Sequence, residues 1–128
     1  MKYILSFLFL MFIVFANIQN LRANEDVYIS NIEIAQKYAE EKEKTLLLIF
    51  TADWCRYCKP LHDAIDANQE LVNEKYIVCY VDFDKNKDLV RKYNVGAIPT
   101  TIIIKETNLI TKIVGFSSFT TYRQKIGL

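Results

Sequence analysis

Residues 45–59 read TLLLIFTADWCRYCK, and this stretch decides the fold. Its first part, Thr45–Thr51, is a continuous apolar run, which predicts a strand buried on both faces of a central sheet. Residues 52–55 then form the turn out of that strand. A helix is expected from Arg56, with Leu61, Ala64 and Ile65 on its inner face. Pro60 lies near its start, and a missing amide proton is tolerated in the first turn.

Two cysteines, Cys55 and Cys58, lie where this strand passes into the helix. The first thiol is expected at the helix N-terminus, where unpaired amides and the positive end of the helix dipole favour the thiolate and lower its pKa. The second thiol follows one turn later, close enough to form a disulfide. Cys55 is therefore the candidate nucleophile and Cys58 the candidate resolving thiol, with exchange through a mixed disulfide.

Three other interpretations of the pair stay open at this point. The pair is a structural disulfide in an oxidising compartment, or half of a zinc site, although no second Cys or His pair completes four ligands. It can also bind copper, with His62 or Cys79 as a further ligand. The spacing favours redox chemistry, which needs no cofactor besides the disulfide and no metal.

Further elements are predicted on both sides of this stretch. The pattern predicts a strand at 27–29, a helix from the capping pair Ser30 and Glu33 to about Lys44, a helix at 69–75, a strand at 76–83, a helix at 86–93, strands at 100–104 and 109–114, and a helix from Ser117 or Ser118 to Ile126. Alternating strands and helices favour parallel crossovers, and the late hairpin adds antiparallel strands. The fold class is therefore α/β, with a central mixed sheet flanked by helices.

The N-terminal segment has the layout of a secretory signal peptide. Lys2 precedes an almost wholly apolar run at 3–15, and a polar patch follows at 17–20. Cleavage is expected after Ala23, with Ala16 as the other candidate. The alternative is an uncleaved membrane anchor, although the apolar core of about 13 residues is short for a bilayer span of about 20.

We therefore divide the chain into a signal peptide or anchor at 1–23 and one domain at 24–128, expected in the periplasm or elsewhere outside the cytoplasm. Without Lys2 and Arg22 the chain carries 14 basic and 15 acidic side chains. This balance excludes an electrostatic footprint for nucleic acid or an anionic membrane surface. A monomer is expected.

Two motifs resemble those of the thioredoxin-like family, especially its exported bacterial thiol:disulfide interchange proteins. The first is ADWCRYCK at 52–59, and the second is GAIPT at 96–100. Cys55 and Pro99 are 44 positions apart, as in that family. The resemblance covers about Val27 to Ile126 and implies the thioredoxin fold.

The resemblance also implies roles for matching residues. Trp54 is expected to shield and position the active-site turn, of which Arg56 and Tyr57 form the middle. Pro99 is expected in the cis form against the disulfide, since only X-Pro bonds adopt that form at low cost. The backbone of Ile98 is expected to pair with an extended substrate peptide.

The sequence departs from the family pattern at three places. Ile49 stands where thioredoxins carry a buried aspartate, and Tyr80 stands where an accompanying lysine is usual. Deprotonation of Cys58 must then use water, the substrate or another group. Arg56 and Tyr57 replace Gly-Pro, and the Arg56 cation is expected to favour the Cys55 thiolate and make the protein more oxidising, unless solvent screens it.

Three other side chains have ordinary interpretations. Cys79 is expected to be a buried core thiol. His62, the only histidine, is interpreted as a surface or partly packed helix residue, and Asp53 as an exposed turn acid.

The implied function is thiol:disulfide exchange with protein cysteines. In the family, small exported members often keep partner cysteines reduced, for instance in cytochrome c maturation, and a membrane electron transporter recharges them. We therefore expect a reductase or electron carrier, with a membrane electron donor. The alternatives are a disulfide-forming oxidase or isomerase, which Arg56 favours, and a copper or other metal-binding module.

Overall fold

The computed structural model describes residues 31–128. Its helices are α1 (Ile32–Glu41), α2 (Lys59–Ala67), α3 (Gln69–Lys75), α4 (Lys87–Lys92) and α5 (Phe119–Ile126), and its strands are β1 (Thr45–Thr51), β2 (Tyr76–Asp82), β3 (Thr100–Lys105) and β4 (Asn108–Val114). The segment predicted at 1–23 and the strand predicted at 27–29 lie outside this range. Within residues 31–128, no helix is both long and apolar enough to cross a membrane.

The four strands form one mixed sheet in the order β2-β1-β3-β4. Strands β1 and β2 are parallel, whereas β3 is antiparallel to both β1 and β4. The predicted mixed sheet and terminal hairpin are confirmed. The turn between β3 and β4 consists of residues 106–107, whereas the predicted strands left residues 105–108 between them. Glu106 in this turn adopts the left-handed backbone conformation, with φ 58°.

Both faces of the sheet are covered by helices, as the continuous apolar run of β1 predicts. Leu46, Leu48 and Phe50 pack with α1 and with partly buried residues of α4 on one face. Leu47 and Ile49 pack with α2, α3 and α5 on the other. This alternation follows from the two-residue period of a strand, and it places the start of α2 beside the end of β1.

The N-terminus of α1 differs from the predicted capping pair. Asn31 is the cap residue, and its side-chain oxygen accepts hydrogen bonds from the backbone N–H groups of Glu33 and Ile34 at 2.9 and 3.2 Å. The helix ends at Glu41 rather than near Lys44. A left-handed residue at Glu43, with φ 54°, ends it early.

The predicted start of α2 at Arg56 is wrong, because the helix begins at Lys59. A helix starting at Arg56 would place Pro60 beyond the first turn. There its missing N–H is needed for a helical hydrogen bond, and its ring would clash with the Arg56 carbonyl. Starting at Lys59 keeps Pro60 in the first turn and leaves both cysteines ahead of the helix.

Candidate functional site: a disulfide beside a cis-proline

Cys55 and Cys58 form a disulfide at the carboxyl end of β1, with their Cα atoms 5.3 Å apart. The turn that holds them is hydrogen-bonded within itself. The backbone N–H of Cys55 donates to the Ala52 carbonyl at 3.0 Å, and that of Cys58 donates to the Cys55 carbonyl at 3.1 Å. Cys55 is 7% exposed and Cys58 1%, so Cys55 is the more accessible of the two.

The cysteines occupy different positions relative to α2. Cys58 is the N-cap residue, and its carbonyl accepts the backbone N–H of His62 at 3.1 Å. Cys55 lies a turn earlier, outside the helix. The expectation that Cys55 itself lies at the helix N-terminus is therefore wrong, and the helix dipole acts on it from a greater distance.

The loop before β3 lies against this disulfide. The Ile98-Pro99 peptide bond is cis, as predicted. Pro99 is buried, and Ile98 packs against the small apolar cluster of Ala52, Cys55 and Cys58. The Thr100 hydroxyl donates to the Ala97 carbonyl at 2.7 Å and closes the loop.

Two large aromatic side chains project from the active-site turn. Trp54 is 67% exposed and Tyr57 is 69% exposed. The Trp54 indole Nε1 donates a 2.7 Å hydrogen bond to Oδ2 of Asp84, in the loop after β2. The Arg56 guanidinium carbon lies 5.5 Å from the centre of the Tyr57 ring. Asp84 was not predicted, and no local pattern marks it, since this contact spans two separate loops.

The two residues that replace the family's aspartate and lysine, Ile49 and Tyr80, are neighbours in space. Ile49 and Tyr80 are register partners on β1 and β2. Ile49 is fully buried, and Tyr80 packs partly into the same cluster beside α2. An aliphatic and a phenolic side chain therefore occupy the positions where the family pattern has a carboxylate and an ammonium.

An open cleft of about 720 Å³ runs alongside the disulfide. Its walls come from the ends of β1 and β2, from α2 and from the loop after β2, and the lining residues include Cys58, His62, Asp66 and Tyr80. Asp53 is exposed at its edge, as expected. The cleft gives solvent and small groups access to the α2 side of the disulfide.

His62 is half-buried in the wall of this cleft, in agreement with the interpretation as a partly packed residue. Its Nε2 lies 3.0 Å from the Thr51 hydroxyl, and its ring centre lies 4.4 Å from that of Tyr80. Burial lowers the pKa of His62, and the charges of Asp66 and Asp63 oppose that shift. The imidazole is therefore neutral at about pH 7 and able to accept a proton.

Comparison with known sequences identifies the family. The Thioredoxin family profile matches residues 26–127. The chain belongs to the thioredoxin family. It is 30% identical over 86 residues to Thioredoxin-T of Drosophila melanogaster, covering 67% of this chain and 55% of that protein. It is 31% identical over 78 residues to thioredoxin of Bacillus subtilis, covering 61% of this chain and 75% of that one. The chain thus spans little more than half of the first relative.

Solved thioredoxin structures share the architecture. Fasciola hepatica thioredoxin superposes with a TM-score of 0.66 at 25% identity, covering 78% of this chain and 95% of that one. Poplar thioredoxin h superposes with a TM-score of 0.68 at 22% identity, over 78% of this chain and 91% of that one. The fold predicted from the two motifs is therefore confirmed as the thioredoxin fold.

The third cysteine lies away from this thioredoxin-type site. Cys79 is fully buried on the opposite face of the sheet, among residues packed by α1. Burial raises the pKa of its thiol to about 12, so the predicted role as a core thiol is supported. His62 belongs to the α2 side, so these two residues do not converge on one ligand set. Among residues 31–128, no group of three or more His, Cys, Asp or Glu side chains is arranged to hold a metal ion.

Proposed function

We propose that this protein is a thiol:disulfide oxidoreductase that acts on protein cysteines through the Cys55–Cys58 pair, as a reductase or electron carrier outside the cytoplasm. The observation that carries the proposal is the disulfide at the end of β1, packed against the Ile98-Pro99 loop of a thioredoxin-family fold. The disulfide itself is the redox centre, so no separate cofactor is required.

The chemistry assigns a different task to each sulfur. In the reduced protein the Cys55 thiolate attacks a substrate disulfide, because Cys55 is the more accessible of the two. One substrate thiol leaves, and a mixed disulfide joins Cys55 to the substrate. Cys58 then attacks the Cys55 sulfur and releases the second substrate thiol. Two electrons pass to the substrate, and the Cys55–Cys58 bond re-forms.

The surroundings of the disulfide suit an extended protein substrate. The exposed Trp54 and Tyr57 side chains provide apolar area beside the reactive turn. The backbone of Ile98, next to Pro99, is the proposed pairing edge for a substrate peptide. Arg56 and Tyr57 support the turn from its outer side, where their side chains contact each other.

The place of action is inferred from the N-terminal sequence. A positive start, a short apolar core and a small residue at each candidate cleavage point, Ala16 and Ala23, support export, with cleavage or anchoring as the two outcomes. An exported reductase needs electrons from the cytoplasmic side, so the proposed donor is a membrane electron transporter. The proposed form is a monomer. Cell fractionation and mass measurement of the recovered chain test the location and the cleavage site.

A second direction of electron flow is favoured by one residue. Arg56 adds a positive charge next to Cys55, and such a charge stabilises the reduced thiolate form. A more stable reduced form makes the disulfide a stronger oxidant, as a disulfide-forming oxidase or isomerase requires. The reduction potential of the pair against glutathione distinguishes the two directions.

The proposed activity is tested by a pair of cysteine variants. Cys58→Ala removes the resolving thiol, so we expect it to accumulate mixed disulfides with partner proteins at Cys55. Cys55→Ser is the matched control and should trap none, and it should not reduce insulin. Equal trapping by both variants, or insulin reduction by Cys55→Ser, would contradict the proposal.

A further inference from the structure

The resolving step requires a proton acceptor for Cys58. Asp82, at the end of β2, is a sheet carboxylate that lines the cleft, but it is already engaged by Lys85 and by the backbone N–H groups of Asp84 and Lys85. Cys58 is almost fully buried, and an ordinary thiol is mostly protonated at about pH 7. Ile49 and Tyr80 fill the adjacent positions of β1 and β2. An acceptor must therefore come from another element that faces the same sulfur.

Helix α2 aligns such a group with Cys58. Cys58, His62 and Asp66 follow one another at four-residue intervals, and all three line the cleft beside the disulfide. Residues at this spacing share one face of a helix, and their side chains tilt toward its N-terminus. From this geometry we expect the His62 ring to point toward the turn that holds Cys58, with Asp66 one helical turn behind it.

Contacts from the sheet hold the imidazole in this place. The Thr51 hydroxyl lies 3.0 Å from Nε2, and the Tyr80 ring packs against the imidazole at 4.4 Å between centres. One strand thus provides a hydrogen bond, and the next provides an aromatic ring, tilted by 40°, against which the imidazole packs. A histidine fixed in this way faces the cleft in a defined orientation.

The charges around His62 suit a base that becomes charged only briefly. Lys59, Asp63 and Asp66 lie near it on α2. On the β2 side of the cleft, Asp82 and Lys85 form an ion pair with each other. Burial keeps the imidazole neutral at about pH 7, and Asp66 and Asp63 favour the imidazolium once a proton arrives. Lys59 opposes them and is itself paired with Asp63.

We propose that His62 accepts the proton of Cys58 while Cys58 attacks the mixed disulfide, an assignment that rests on the proposed oxidoreductase function. The S–H bond of Cys58 breaks, and its proton moves to the imidazole. The sulfur forms a bond to the Cys55 sulfur, and the bond between Cys55 and the substrate breaks. The departing substrate thiolate takes a proton from the imidazolium or from water, which leaves His62 neutral again.

The test separates the two sulfur steps in one reaction. Full-length chains are expressed, and the recovered protein is reduced. It is then mixed with dithiobis(nitrobenzoate), DTNB, in a stopped-flow instrument. The first release of thionitrobenzoate reports attack by Cys55, and the second reports resolution by Cys58. Thionitrobenzoate leaves without needing a proton, so the second phase isolates the deprotonation of Cys58.

We expect His62→Gln to slow the second phase about tenfold near pH 7, and to leave the first phase within about twofold of the parent rate. The difference should disappear near pH 10, where hydroxide deprotonates Cys58 directly. Glu70→Gln, an exposed change on α3, is the control and should alter neither phase. A second phase unchanged in His62→Gln, or slowed equally at every pH, would overturn the proposal. Absence of the first phase in the parent would instead refute the proposed function.

A measurement on the unaltered protein makes the test independent of variant folding. His62 is the only histidine, so its ring resonance in untagged protein needs no assignment. If His62 and Cys58 exchange a proton, the reduced protein should show a second inflection of this resonance at the Cys58 pKa, absent from the disulfide form. Identical titration curves in both forms would contradict the assignment.

Discussion

The Trp54 indole and the Asp84 carboxylate are joined by a 2.7 Å hydrogen bond. The bond ties the active-site turn to the loop that follows β2. It also lowers the pKa of Asp84, with a further contribution from Lys87. The carboxylate thus holds a largely exposed tryptophan in a fixed orientation beside Cys55.

Removing this carboxylate should loosen Trp54. We expect Asp84→Asn to change the fluorescence of Trp54, the only tryptophan, and to slow insulin reduction several-fold. Because the pKa of Asp84 is lowered, the carboxylate protonates only below its ordinary range. The parent protein should therefore show an acid fluorescence transition below about pH 4, which the variant lacks. The same transition in both proteins would show that Asp84 is not its source.

A second contact, between Thr101 and Tyr122, anchors α5 to the sheet. Their hydroxyl oxygens lie 2.9 Å apart, and both residues are almost fully buried. Thr101→Val leaves the Tyr122 hydroxyl without this partner, so we expect a loss of about 1–3 kcal/mol in the free energy of unfolding. Urea denaturation measures it.

The double variant Thr101→Val/Tyr122→Phe checks the cause. It removes both hydroxyls and leaves neither of them buried without its partner. We therefore expect it to cost less than the sum of the two single variants. Strictly additive losses would show that the hydroxyls act independently.

Features that depend on neighbouring residues were predicted better than features that depend on contacts between distant parts of the chain. The bounds of β1 and α3 were predicted correctly, because both elements are marked by patterns within their own consecutive residues. The start of α2 was missed, although Pro60 contained the decisive information. The start of α1 was assigned to Ser30 rather than its neighbour Asn31, since both residue types cap helices equally well.

The site was predicted where the motifs are contiguous and missed where contacts cross the fold. The pairing of Cys55 with Cys58 and the cis form of Pro99 were predicted and are confirmed. The contacts of Trp54 with Asp84 and of His62 with Thr51 were not predicted. They join residues from different elements, and their geometry depends on how β1, β2 and α2 pack.

Cys79 should be silent toward thiol reagents in the folded protein. Burial raises the pKa of its thiol to about 12, so almost no thiolate exists at about pH 8. We expect iodoacetamide to modify Cys55 but to leave Cys79 unmodified in the reduced native protein, and to modify Cys79 after unfolding. Mass spectrometry of digested protein counts the modified sites. Modification of Cys79 without unfolding would contradict its assignment to the core.

Arg56 should raise the reduction potential of the pair. A cation one residue from Cys55 is expected to favour its thiolate and so to stabilise the reduced form. We expect the parent protein to be more oxidising than thioredoxin and Arg56→Gln to be more reducing than the parent. Because Arg56 is exposed and contacts the Tyr57 ring, the shift should shrink at high salt. Equilibration with glutathione measures both reduction potentials. Equal values for parent and variant would show that Arg56 does not raise the potential of the pair.

The rate at which iodoacetamide modifies Cys55 in the reduced protein, followed as a function of pH, tests the central claim most directly. The account predicts that Cys55 reacts much faster than Cys58 at about pH 7, with an apparent pKa below the ordinary thiol value of about 8.5. A Cys55 that reacts only after unfolding, or with an ordinary thiol pKa, would contradict its role as the attacking sulfur.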